Sequence, residues 1–272
     1  YRMHGTDLAA EPLEFAMNNQ HMNGGILIDD WGRTSLQGCY AIGEAAGSHG
    51  VTRPGGAALN SGQVFGKRVA EAIKRSHLNR AAFEPSAEVV NKQVEATLND
   101  AHAFLNASDA RKPKEIKTEV QARMSDYAGI ICTQEDVASA LEAAKALRSE
   151  IESRGIQIST PSLVGQAFRW RHMVYVSEAV LTALDHYIQN GGGSRGARAI
   201  CTDAGTRCPD AHGEDLSRFR FIEEQQKDRE EKLVVSRTED GFSIHTLPVN
   251  LSPEVDRQFF EKGWGAYLIK EG

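Results

Sequence analysis

Apolar residues recur along the chain with two different periods, and the change falls near Ser86. Before it, short apolar runs alternate with turn residues. Ile26-Leu27-Ile28 follows Gly24-Gly25 and is closed by Asp29-Asp30-Trp31-Gly32-Arg33, which reads as a buried strand entering a turn. Cys39-Tyr40-Ala41-Ile42 is a second strand-like run ending at Gly43, and a glycine-rich segment from Gly47 to Gly56 follows. Ala57 to Arg75 then reads as a helix, with Val64, Val69 and Ile73 among its apolar positions.

After Ser86 the spacing becomes helical. Val90, Val94, Leu98 and Ala101 mark one amphipathic helix; Ile116, Val120, Met124 and Tyr127 mark the next. A third opens at Thr133, with Asp136 in a capping position, and carries Val137, Leu141, Ala144, Leu147 and Ile151 on one face. A fourth runs from about Gln166 to Asn190 and stops at Gly191-Gly192-Gly193. These stripes are expected to be core, which makes the region a helical bundle with no site of its own. The charged residues 223–232 read as a solvated face. Leu233-Val234-Val235 and Phe242-Ser243-Ile244 flank Asp240-Gly241 as a hairpin. Trp264, Tyr267 and Leu268 in the tail suit docking on the body or on a partner. The expected organisation is residues 1–78, a helical domain at 79–198, and an irregular extension at 199–272.

Composition alters this picture little. A hydrophobic fraction of 40% and a charged fraction of 25% are those of a globular protein with a sizeable core. A net charge of -6 argues against nucleic acid as a partner, because phosphate recognition needs a basic surface. No apolar run is long enough for a transmembrane segment. The opening Tyr1-Arg2-Met3 reads as the start of a fragment rather than as a signal peptide. The four cysteines form no CxxC pair, so the expected setting is a reduced, cytoplasmic one. Cys201 and Cys208 are left as a pair that could bridge or share a metal, although the expected number of metal sites is none.

The chemistry gathers in Gly43-Glu44 and in His49-Gly50-Val51-Thr52-Arg53-Pro54-Gly55-Gly56-Ala57-Ala58-Leu59. An acidic side chain at a strand end accepts hydrogen bonds from sugar hydroxyls. Glycines let backbone approach a flat ligand. A helix starting near Gly55 presents its first N–H groups and the positive end of its dipole. Arg53 offers a fork suited to a carboxylate. Two readings remain open on physics alone: an anion-binding helix N-terminus, or a structural glycine turn beside a surface arginine.

Those blocks, together with Gln20-His21-Met22-Asn23-Gly24-Gly25, resemble the segment that closes the flavin domain in fumarate reductase/succinate dehydrogenase flavoproteins. The order and gaps agree from Gln20 to Ala72. A weaker resemblance runs over Met124–Leu147 and from Ser177 to Ala197, in the family's helical domain. The implied fold class is an α/β flavin-domain closing segment, strands plus a long helix, followed by a mostly α-helical bundle.

The resemblance implies FAD as cofactor and hydride transfer on a carboxylate-bearing, fumarate- or succinate-like substrate. Gly43, Glu44, His49, Gly55, Gly56, Ala58 and Leu59 would meet the cofactor. Arg53 would bind the dicarboxylate, and His21 would polarise it; in the alternative register Gln20 takes the histidine's place. Thr52, Pro54 and Ala57-Ala58 depart from the family pattern near the flavin, which bears on the substrate more than on the cofactor. In the family the dinucleotide fingerprint lies N-terminal to all of this, so the N-terminal half of the same protein is an expected partner. Gly191-Gly192-Gly193-Ser194-Arg195-Gly196 fits GxGxxG but follows a helix rather than a strand, which removes it from consideration. The resemblance also implies an electron-transfer partner or a homo-oligomer. The alternatives are an L-aspartate oxidase-like or other flavin dehydrogenase, such as a ketosteroid dehydrogenase, and a non-catalytic binding or assembly module.

Overall fold

A computed structural model describes residues 1–12, 21–51, 55–77, 85–210 and 213–249. The chain divides into two compact units, Tyr1–Pro85 and Ser86–Gly272. Arg53, Gln20 and the aromatic tail residues lie outside the described residues.

The first unit is built on one helix, α1 (Ala57–His77). The turn at Asp29–Arg33 is closed by Asp29, whose Oδ1 accepts from the N–H groups of Trp31 at 2.8 Å and Arg33 at 2.9 Å. Gly32 is buried at φ 71°, and a Cβ there would lie 2.4 Å from Val69 Cγ2. Glycine at that position lets the turn pack directly on α1. The two expected strands are corrected to single bridges: Ile26 pairs with Ala46 in parallel, and Arg33 pairs with Tyr40 antiparallel. Each run meets its neighbour at one residue before a turn carries it away, so no ladder propagates.

The second unit carries the core. Its helices are α2 (Ala87–Asn106), α3 (Pro113–Tyr127), α4 (Gln134–Arg154) and α5 (Val164–Gln189). Thr133 caps α4 as expected, its Oγ1 accepting from Asp136 N at 3.1 Å. The α4 stripe supplies both apolar clusters. Val137, Leu141 and Ala144 pack with Leu181, Leu184 and Ile188 of α5. Leu147 and Ile151 pack with Ile116 and Val120 of α3, Val174 of α5 and the loop residues Ile156 and Ile158. The α2 stripe is a correction: Val90, Val94 and Leu98 are exposed, and Phe104 is the buried residue of that helix.

A small sheet edges the bundle. β1 (Ile131–Cys132) pairs in parallel with β2 (Ala199–Arg207), which pairs antiparallel with β3 (Arg220–Phe221) across an irregularity between Cys201 and Thr206. Cys201 and Cys208 are free thiols, and burial pushes Cys201 above the ordinary thiol range. The charged run 223–232 is not all solvated. It contains a one-turn helix, α6 (Lys227–Glu230), whose Asp228 is buried and accepts from Gly193 N at 3.1 Å and Gln225 N at 2.9 Å. That buried acceptor serves one backbone donor of the glycine turn and one of the charged run itself. The turn's glycines have packing duties as well: a Cβ on Gly192 would meet the Tyr187 ring at 2.4 Å.

The hairpin forms as expected from β4 (Glu231–Thr238) and β5 (Gly241–Pro248), with Val235 opposite Ile244. Its turn is docked on α4 and α5. Arg148 Nε donates to Glu178 Oε2 at 2.7 Å, Arg148 Nη1 meets Glu152 at 2.8 Å, and Arg148 Nη2 donates to the Asp240 carbonyl at 3.2 Å. Arg237 of β4 reaches Glu152 at 3.0 Å and lies 3.9 Å over the Tyr175 ring. Glu178 is 2% exposed, so this network is paired and desolvated at its centre.

Candidate functional site

The residues singled out in the sequence converge in the first unit where two loops cross. Ile26 N donates to the Ala45 carbonyl at 2.9 Å and Gly47 N donates to the Ile26 carbonyl at 2.9 Å. Gly25 makes the crossing possible: a Cβ there would lie 2.6 Å from Ala45 O and 2.7 Å from Ala46 C. Backbone atoms cannot yield to a side chain, so this contact requires glycine.

The crossing brings His21 to His49, ring centroids 4.8 Å apart and edge to face at 86°. Glu44 sits in a 3-10 turn, Gly43–Ala45, entered by Gly43 at φ 62°. Its Oε1 accepts from Met22 N at 3.2 Å, which ties this glutamate to the His21 loop. Asn23 N donates to His21 Nδ1 at 2.9 Å, and Asn23 Nδ2 donates to the Val51 carbonyl at 2.8 Å. Ser48 and Ser61 share a hydrogen bond of 2.7 Å, linking the His49 loop to the second turn of α1.

Gly55 and Gly56 lead into α1. The Asn60 N–H donates to the Gly56 carbonyl at 3.3 Å, so the N–H groups of Ala57, Ala58 and Leu59 precede the first intrahelical bond. At Gly50, Gly55 and Gly56 a Cβ would meet nothing within 4 Å, and none of the three has a positive φ. Neither packing among the described residues nor backbone conformation demands glycine there. Glycines of that kind leave room for a ligand to approach the backbone. Leu59 is 80% exposed beside them, and Ile42 and Ile26 are exposed too.

Of the residues expected to act, the structure thus joins His21, Gly43, Glu44 and His49 through the crossing, and places Gly55, Gly56, Ala58 and Leu59 at the α1 N-terminus. Sequence reasoning missed Asn23, whose φ of 61° is the described non-glycine exception to negative φ. The available signal was its place before Gly24, since asparagine is the side chain that best tolerates a left-handed backbone. Among the described residues no group of three or more His, Cys, Asp or Glu is placed to hold a metal ion. Nor is any described helix long and apolar enough to cross a membrane.

The comparisons with known proteins show what the chain is similar to: FAD-dependent oxidoreductases of fumarate reductase/succinate dehydrogenase type. The chain is 31% identical over 148 residues to a fumarate reductase (CoM/CoB) subunit of Methanothermobacter marburgensis, covering 54% of this chain and 26% of that protein. It is 29% identical over 151 residues to L-aspartate oxidase of Streptomyces coelicolor, covering 55% of this chain and 25% of that protein. The match spans about a quarter of the length of these relatives. In fold it is similar to E. coli quinol fumarate reductase FrdA, with a TM-score of 0.67 at 18% identity over 86% of this chain and 37% of that one. A Mycobacterium smegmatis Sdh1 structure matches with a TM-score of 0.63 at 21% identity, over 88% of this chain and 37% of that one. No protein-family model matches the chain.

Proposed function

We propose that the chain forms part of an FAD-dependent oxidoreductase acting by hydride transfer on a dicarboxylate of the fumarate or succinate kind. The observation that carries this reading is the glycine-built crossing that sets His21 on His49 and Glu44 on the His21 loop, beside a helix start where a Cβ on either glycine would meet nothing within 4 Å among the described residues. The similarity to a fumarate reductase (CoM/CoB) and to L-aspartate oxidase supports it.

The residues present fit a flavin. The space where a Cβ would stand at Gly55 and Gly56 leaves room for a flat ring, and the first N–H groups of α1 suit negative charge on it. The Glu44 carboxylate suits hydroxyl groups of the cofactor's chain. When bound, FAD supplies the redox chemistry, exchanging a hydride with a substrate carbon. The protein's part is to hold and orient the dicarboxylate: Arg53 would clamp a carboxylate, and His21, or Gln20 in the alternative register, would polarise it, as the resemblance implies. The N-terminal part of such a flavoprotein would supply the dinucleotide fingerprint.

The test is the visible spectrum of the intact protein with FAD, before and after dithionite. Flavin bands that bleach support the reading, and a protein that stays colourless after incubation with FAD overturns it. In flavin-loaded protein, Arg53→Ala is expected to weaken dicarboxylate binding roughly a hundredfold, because a guanidinium–carboxylate pair is lost. Flavin content should stay unchanged. Unaltered kinetics with every dicarboxylate tried would remove Arg53 from the site.

A further inference from the structure

Among the described residues, His21 Nε2 and Asn23 Oδ1 at the crossing are buried and have no hydrogen-bond partner. Buried polar groups are nearly always paired, and leaving one unpaired costs stability. Two such atoms on one short turn, inside the candidate site, point to a ligand.

The hydrogen bonds around them settle what each atom offers. His21 Nδ1 accepts from the Asn23 backbone N–H, so Nδ1 carries no proton. The neutral ring is then the tautomer with its proton on Nε2, and the open atom is a donor. Asn23 has its amide orientation fixed in the same way. The side-chain atom facing the Val51 carbonyl must be the NH₂ group, because two oxygens cannot share a hydrogen bond. The open atom is therefore Oδ1, an acceptor. The left-handed backbone of Asn23, at φ 61°, points its N–H at His21 while its side chain reaches the other loop.

We infer that Asn23 is a specificity-determining residue, presenting Oδ1 as an acceptor beside a His21 held as an Nε2–H donor, and that the site takes a carboxylate substrate bearing a neighbouring hydrogen-bond donor. This rests on the dicarboxylate reading above. Fumarate and succinate dianions carry acceptor oxygens alone; they satisfy His21 and leave Asn23 Oδ1 unpaired. A dicarboxylate with an amino or hydroxyl group next to a carboxylate satisfies both. A site with a buried acceptor discriminates against ligands that cannot donate to it.

The experiment is a spectral titration of the flavin-loaded protein with L-aspartate, L-malate, succinate and fumarate. Aspartate or malate is expected to bind at least about tenfold more tightly than succinate, the usual scale for one buried hydrogen bond. Comparing the aspartate and malate arms tells an amino from a hydroxyl donor. Asn23→Gly suits the positive φ and keeps the backbone N–H that sets the His21 tautomer. It should erase the preference among the four ligands. Nitrogen-15 NMR of histidine-labelled protein should show His21 as the Nε2–H tautomer in both forms. Equal binding of all four ligands overturns the inference and leaves the dicarboxylate reading standing. So does an Asn23→Gly variant that loses flavin while its ligand preference persists. Binding of none of the four, with flavin bound, overturns the dicarboxylate reading and this inference with it.

Discussion

The two units bury different things. In Ser86–Gly272 the core is made of large side chains: Ile116, Leu147, Ile156, Leu181 and Ile200 are all 2% exposed or less. In Tyr1–Pro85 the buried apolar side chains among the described residues are Ala41, Ala46 and Ala72, while Leu59, Val64, Ile73, Ile26 and Leu27 face outward. A buried leucine or isoleucine contributes about 1.5–3 kcal/mol, and an alanine much less. The second unit therefore holds itself together. The first is shaped by glycine contacts and backbone hydrogen bonds, the construction suited to a surface that binds something flat. Stability resides in one unit and the candidate chemistry in the other.

The largest test of that division removes the buried charge of the second unit. Glu178→Gln leaves Arg148, itself little exposed, without its closest counter-charge. Breaking such a pair from one side costs about 3 kcal/mol. For a unit of this size that lowers Tm by about 10 °C in a thermal melt. The double variant Arg148→Met, Glu178→Leu should recover most of the loss, since replacing both partners by apolar groups is close to neutral. Flavin affinity should not follow either change. A parallel fall in flavin affinity would show that the two roles are not divided.

A second pair of substitutions sharpens the contrast. Leu147→Ala opens a cavity where α3, α4 and α5 meet and is expected to cost about 2–5 kcal/mol. Leu59→Ala, at an exposed position on the first turn of α1, should cost less than about 0.5 kcal/mol. Its effect is expected on flavin binding instead. Chemical denaturation and a flavin titration on both variants would decide, and a destabilised Leu59→Ala protein would place that leucine in a core.

How much of this could be read from the sequence differs between the units. The α4 stripe was fully legible because period, cap and burial agree: Thr133 caps, and Val137, Leu141, Ala144, Leu147 and Ile151 are all buried. The α2 stripe has the same period, yet Val90, Val94 and Leu98 stand exposed; periodicity marks an apolar face without saying what covers it. Asp228 was hidden for another reason. Its burial depends on Gly193 N, a donor from a turn distant in sequence. In the first unit the glycine blocks were legible, because glycine at a close crossing leaves a mark on the sequence. The His21–His49 contact and the open atom of Asn23 were not, since both arise only when Gly25 lets the two loops meet.

The smallest expected effect is a pH dependence confined to the hairpin. Burial raises the Glu152 carboxyl, but hydrogen bonds from Arg237 and Tyr175 and the charge of Arg148 outweigh it and hold the group below its ordinary value of 4.5. A carboxyl lowered by folding contributes stability that is fully present above its unfolded value. That contribution is lost as pH falls through the lower, folded value. The hairpin clamp should therefore be constant at neutral pH and weaken below about pH 4.5. Glu152 is partly exposed, so solvent screening keeps the effect under about 1 kcal/mol. Hydrogen exchange of the β4 and β5 amides, followed from pH 6 to 3 with exchange rates corrected for pH, reads this locally. Glu152→Gln should flatten the profile while the α4–α5 amides behave alike in both proteins. An unchanged profile in the variant would mean that the hairpin is held by the stacking of Arg237 on Tyr175 and by Arg148 on the turn carbonyl, and that the carboxylate at 152 only decorates the clamp.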